Sequence, residues 1–139
     1  MEIIKLKNNV KIINDAYNAS LDSMKAAINY LSEIEAERKI AVLGDMFELG
    51  DYAEELHRKV GEEIAKSNID KLYLIGESAK FIKEEAIKLG FDEKNIKYFN
   101  SRDEILKNIQ QEMEDGDIFL FKASNGMKLF EIVENLKKI

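Results

Sequence analysis

The chain has 139 residues, 45% of them hydrophobic and 35% charged, with 27 acidic side chains against 21 basic ones and a net charge of −6. That is the length of one domain with a globular composition, and interspersed charge of acidic balance argues against nucleic acid as the main partner, which needs a basic face. The lack of Cys excludes a disulfide framework, a thiolate metal site and a Cys nucleophile, and the single His excludes a multi-histidine metal centre within the chain.

No apolar run is long enough to span a bilayer, and Met1–Val10 lacks the long apolar region of a secretory leader, so a cytoplasmic protein without membrane insertion is expected. In chain order, Glu2–Leu6 and Val10–Ile13 are short apolar-rich runs around Lys7-Asn8-Asn9. Asn tolerates positive φ, so this stretch reads as a β-hairpin with a tight turn. A polar loop, Asn14–Ser20, follows. Ser20 or Asp22 is placed to cap a helix whose apolar positions Met24, Ala27, Ile28 and Leu31 recur at helical spacing.

Ile40–Leu43 is a continuous apolar run ended by Gly44-Asp45, the pattern of a strand covered on both faces. The loop Gly44–Gly50 leads to a helix striped by Ala53, Leu56, Val60 and Ile64. Leu72–Ile75 is a further strand ended by Gly76, and Ile82, Ala86 and Leu89 mark a helix stopped by Gly90. A short strand, Ile96–Phe99, precedes Ser101-Arg102-Asp103-Glu104, a capping box opening a helix with Ile105, Ile109 and Met113. After the turn Asp115-Gly116-Asp117 come the strand Ile118–Phe121, the loop Lys122–Met127 and a closing helix carrying Leu129, Ile132, Val133 and Leu136. Strand and helix thus alternate at a spacing that requires a parallel sheet. The expected fold is a single α/β domain over residues 1–139: a Rossmann-like, doubly wound, mostly parallel sheet with helices on both faces and an N-terminal hairpin.

Such sheets bind ligands outside the carboxyl ends of their strands. Three loops are expected there: Asn14–Ser20, Gly44–Gly50 and Lys122–Met127. Lys122, Ser124 and Asn125 before a helix supply an ammonium, a hydroxyl and free amides, which suit an anion. The same residues also read as a solvated Lys and a helix cap. Asp45 fits an acceptor for an ammonium or for backbone amides, and equally an ordinary Gly-Asp turn. Asp15, Tyr17 and Asn18 offer a carboxylate for ribose hydroxyls, a ring for stacking and an amide for polar edges, though an Asx-rich turn explains them as well. His57 falls beside the apolar stripe of its helix, where a packed, hydrogen-bonded imidazole is expected rather than a catalytic one. Neither a GxxxxGK[ST] phosphate loop nor a GxGxxG after a strand occurs.

Four stretches taken together resemble one family: Asn14 to Met24 with its Asp15-Ala16-Tyr17-Asn18-Ala19-Ser20, Val42 to Gly50 with its Leu43-Gly44-Asp45-Met46, Leu56 to Gly61, and Phe121 to Met127. The family is that of the Mur ligases, and the likeness is to their C-terminal domain, nearest the branch that adds D-alanyl-D-alanine to UDP-N-acetylmuramoyl-tripeptide. It covers essentially the whole chain. The resemblance implies the third domain of an ATP-dependent amide-forming ligase of peptidoglycan precursor synthesis, in which an acyl phosphate is attacked by the amine of the dipeptide. This domain closes over ATP and presents the dipeptide.

Carried over, Asp15 faces the ribose, Tyr17 and Asn18 line the nucleotide side, Asp45 and Met46 sit by the dipeptide, and Lys122, Ser124 and Asn125 hold its carboxylate or line its pocket. The family often has Pro at Leu21 and Arg at Asn125. No catalytic or metal-binding residue is implied here, because the phosphate loop and most of the Mg²⁺ ligation belong to the absent central domain. The resemblance therefore implies an excised domain with Met1 an introduced start, partnered by the rest of the ligase and inactive alone. Two rival readings are a receiver-like signalling module, whose strand-end Asp and late Lys are imitated by Asp45 and Lys122, and a free-standing nucleotide-binding domain.

Overall fold

The computed structural model describes residues Met1–Ile139. Its six strands form one sheet in the order β1-β2-β6-β3-β4-β5: β1 is Glu2–Lys5, β2 Lys11–Asp15, β3 Arg38–Leu43, β4 Lys71–Ile75, β5 Ile96–Phe99 and β6 Asp117–Lys122. Only β1 runs antiparallel, paired with β2 from Glu2 opposite Asn14 to Lys5 opposite Lys11. The turn between them places Asn8 at φ 61° and Asn9 at φ 60°, the left-handed region expected of that dipeptide.

Five helices connect the strands: α1 (Leu21–Glu33), α2 (Ala53–Lys66), α3 (Ala79–Lys88), α4 (Arg102–Glu112) and α5 (Phe130–Leu136). Alternate residues of each central strand face opposite layers, as a pleated strand requires. Ile13, Ala41, Leu43, Leu72, Leu74 and Leu120 pack under α1, α2 and α3 with Met24, Ile28, Val60, Ile64 and Ile82. Ile12, Ile40, Val42, Tyr73, Phe119 and Phe121 pack under α4 and α5 with Ile105, Ile109, Ile132 and Val133. The doubly wound sheet expected from the alternating pattern is the one observed.

Local details differ from the sequence reading where polar residues turn out to be internal. Lys122 is the last residue of β6 and Asp15 the last of β2, so neither is a loop residue. Asp117 opens β6 instead of closing a turn, buried because Arg38 on β3 pairs with it at 2.7 Å. Leu89 caps α3 and is 47% exposed rather than part of the stripe. Ser20, not Asp22, caps α1, exchanging hydrogen bonds with Ser23. At α4 the Ser101 hydroxyl accepts the Glu104 amide at 3.2 Å, but the Glu104 carboxylate accepts from Asn100 instead of Ser101. The reciprocal half of the capping box is therefore shifted by one residue.

Candidate functional site

The chain leaving β2 and β3 crosses to the layer of α1 and α2, whereas the chain leaving β6, between them, turns to the layer of α5. Neighbouring loops diverge on both sides of β6, which opens a crevice at the strands' carboxyl ends. The three loops expected to converge do so around it.

On the hairpin side, the Lys122 ammonium donates to Asp15 Oδ2 at 2.7 Å and to the Asn18 carbonyl at 3.0 Å. Asp15 and Lys122 are paired in register on β2 and β6. Lys122 is 2% exposed, so its charge is spent holding the Asn14–Ser20 loop in place. This departs from the expectation that Lys122 holds a ligand carboxylate: a buried cation already paired with a carboxylate is not open to a second one. Asp15 keeps 22% of its side chain exposed and Asn18 is exposed. Tyr17 is 55% exposed, its ring stacked on Phe130 with centroids 5.9 Å apart and planes 10° from parallel. The buried Asn14 amide donates to the Tyr17 hydroxyl at 3.3 Å and tethers that ring at its hydroxyl end.

On the other side, the first half of the Gly44–Gly50 loop is pinned residue by residue from Gly44 to Phe47. Gly44 donates to the Lys122 carbonyl at 3.0 Å, and the Asp45 carbonyl accepts from the Ser124 amide at 2.9 Å. Asp45 Oδ1 accepts the amides of Ser78 and Ala79 at 3.0 and 2.8 Å. Asp45 thus caps α3 from a distant loop and, buried, is placed to position its neighbours more than to meet a ligand. The Met46 side chain is buried and its amide donates to His57 Nε2 at 3.0 Å. The Phe47 amide donates to the Ser124 hydroxyl oxygen at 2.7 Å. Asn125 opens the short turn Asn125–Met127 and is exposed.

Other rim contacts were not legible in the sequence. The Tyr98 hydroxyl donates to the Gly76 carbonyl, and burial, with Asp45 and Glu77 nearby, raises its pKa. Arg102 at the start of α4 donates to the Met127 carbonyl at 3.3 Å and pairs with Glu131 at 3.3 Å. Between α4 and α5 this leaves a cleft of about 420 Å³ whose lining includes Ile75, Ser101, Arg102, Gly126 and Met127. The ammonium of Lys122 is directed to Asp15, so the Asp45–Lys122 pair of a receiver-like module is not assembled.

An open α/β sheet with cross-linked polar loops at its carboxyl rim defines a doubly wound α/β domain, a class whose ligand sites lie at that rim. More specifically, residues 1–125 match the family model described as Mur ligase, glutamate ligase domain, and the chain belongs to that family. It is 42% identical over 137 residues to the UDP-N-acetylmuramoyl-tripeptide–D-alanyl-D-alanine ligase of Bacillus subtilis (strain 168), a match covering 98% of this chain and 30% of that protein. The ligase of the same name from Rickettsia prowazekii (strain Madrid E) is 35% identical over 133 residues, 96% of this chain and 28% of the relative. The chain thus spans less than a third of the length of these curated relatives. Among solved structures, that of MurF ligase from Thermotoga maritima in complex with ADP superposes with a TM-score of 0.80 at 28% identity, over 98% of this chain and 30% of the other. A MurF structure from Acinetobacter baumannii gives a TM-score of 0.83 at 27% identity, over 99% of this chain and 30% of that one.

Proposed function

We propose that this chain is a single domain, the C-terminal one of a longer ATP-dependent ligase that joins D-alanyl-D-alanine to UDP-N-acetylmuramoyl-tripeptide in cytoplasmic peptidoglycan precursor synthesis. The observation that carries this reading is the likeness, along nearly the whole chain, to ligases of that name. The crevice beside β6 is compatible with it.

On the hairpin side, the exposed part of Asp15 offers acceptors to ribose hydroxyls while Lys122 fixes its orientation, and Tyr17 and Asn18 form the wall beside it. ATP, when bound, supplies the activating phosphoryl group, with Mg²⁺ held mainly by residues of the remaining domains. On the other side, Ser124 and the exposed Asn125 face the dipeptide, and Asp45 and Met46 hold the wall against which it lies. The Ser124 hydroxyl accepts from Phe47 and keeps its own proton to donate to a carboxylate. Lys122 serves the dipeptide only indirectly, by tying β6 to β2.

A chimera tests the proposal: this chain replaces the matching segment of the Bacillus subtilis ligase. The expected result is ADP release that depends on both D-alanyl-D-alanine and the nucleotide tripeptide, while the isolated chain releases none. A folded chimera that binds both substrates but never couples them to ADP release sinks the reading, as does ADP release by the isolated chain.

A further inference from the structure

His57 is a buried titratable side chain to which the proposed function gives no part. His57 on α2 is 0% exposed, and both ring nitrogens are engaged: Nε2 faces the Met46 amide at 3.0 Å and Nδ1 faces the Ala53 carbonyl at 2.6 Å. The contacts fix the proton. A backbone N–H only donates and a carbonyl only accepts, so Nε2 is bare and Nδ1 carries the hydrogen. The imidazole is neutral and acts as a two-ended connector between the first turn of α2 and the loop eleven residues before it.

The location gives this connector its consequence. Met46 lies between Asp45, which receives the first amides of α3, and Phe47, whose amide is received by Ser124. Without His57, the Met46 amide is a donor shut inside the protein with nothing to receive it, a state that drives local rearrangement. The loop would keep its ends and lose its middle. Ser124 would then lose the geometry in which Phe47 occupies one lone pair and leaves the hydroxyl proton directed elsewhere.

We infer that His57 is a positioning residue: its Nδ1-protonated imidazole sets the Gly44–Gly50 loop, and through Phe47 and Ser124 the wall against which the dipeptide binds. The ligand half of this inference rests on the function proposed above; the loop half does not. His57 touches no ligand and takes no proton from one.

Because His57 is the only histidine, its ring nitrogens are read without ambiguity in a long-range ¹H–¹⁵N spectrum of the chain. The expected pattern is a protonated Nδ1 and a bare Nε2; the reverse tautomer overturns the inference. Amide exchange follows in His57→Leu and in His57→Gln, whose amide oxygen can again accept from Met46. Exchange at Met46 and Phe47 should quicken roughly tenfold or more in His57→Leu relative to Leu74 in the core, and recover in large part in His57→Gln. A uniform quickening at all amides, as from simple loss of stability, overturns it.

Millimolar D-alanyl-D-alanine is then titrated into each protein while amide shifts are followed. Shifts near Ser124–Met127 that weaken in His57→Leu and return in His57→Gln support the ligand half. Equal shifts in all three proteins overturn that half and leave the proposed function standing. No shift in the unaltered chain counts against the proposed dipeptide site and removes the ligand half with it, while the tautomer and the exchange ratio still decide the loop half.

Discussion

Lys122 and Asp15 end adjacent parallel strands at the same register position and meet at 2.7 Å, with the ammonium almost wholly withdrawn from water and the carboxylate partly exposed. The pair is therefore asymmetric. Asp15→Ala strands a buried cation and is expected to cost about 3–5 kcal/mol, whereas Lys122→Met leaves a carboxylate that water still reaches and costs roughly 1–2 kcal/mol. Denaturant unfolding of the two single variants and the double variant checks the order, and the double should lie nearer Lys122→Met than the sum.

Gly76 follows β4 at φ 118°, and a Cβ there would collide with the Asp45 carboxylate. Gly76→Ala should cost about 2 kcal/mol or more from backbone strain alone and should also displace the carboxylate from the start of α3. Asp45→Asn keeps an acceptor for Ser78 and Ala79 and should be milder than Asp45→Ala, for which about 1–2 kcal/mol is expected. Thermal unfolding ranks the three, and amide exchange at Ala79 should quicken in Gly76→Ala and Asp45→Ala.

Gly61 sits where α2 crosses α3, and a Cβ would approach the Ile82 carbonyl to 2.6 Å and the Glu85 Cβ to 2.9 Å. Ala is the better helix former by up to about 1 kcal/mol, but pushing two packed helices apart costs about 1–3 kcal/mol. The prediction is that Gly61→Ala destabilises the domain despite its favourable propensity, as measured by a lower midpoint in urea.

Tyr73 on β4 is 1% exposed, and its hydroxyl is pushed up to about 12, first by burial and then by the Glu112 carboxylate, with Arg38 opposing. The folded state thus binds this proton more tightly than the unfolded one. That contribution is intact below the ordinary tyrosine value of 10 and is lost as pH rises through about 12. Tyr73→Phe should flatten stability over that window by at most about 3 kcal/mol.

On the acid side the sign is reversed. Hydrogen bonding from Lys97 holds Glu112 below the usual carboxylate range, so its contribution is present above that range and fades as pH falls through the depressed value. Glu112→Gln should reduce the acid-side slope in unfolding measured at stepped pH.

The strands and helices were legible because burial writes itself as apolar runs and stripes: Ile40–Leu43 reads as a strand covered on both faces and Ile118–Phe121 as the last strand, and the two lie side by side in the middle of the sheet. The turn at Asn8-Asn9 was legible from the tolerance of Asn for positive φ, and the convergence of three loops at one rim from the rule that such sheets gather their loops at the strands' carboxyl ends. The partners of charged residues were not. Nothing near Asp45 in the chain announces that its carboxylate will receive amides 33 and 34 residues away, and nothing near Lys122 announces a carboxylate 107 residues earlier. Such contacts arise only once the strand order brings β6 between β2 and β3, and alternation alone does not specify that order. His57 was legible as a packed side chain, yet its hold on Met46 depends on the path of a loop that has no period.

That strand order also bears on how the domain is made. The ribosome delivers β6 last of the six strands, yet its place is in the interior, between β2 and β3. Nascent chains cut short before Asp117 would expose two unsatisfied strand edges facing one another, a ready target for chaperones or for a neighbouring nascent chain. Sheet closure thus waits for the last strand of the domain, and the segment that completes it also delivers Lys122 and Ser124, so the rim cannot take shape before that strand is made.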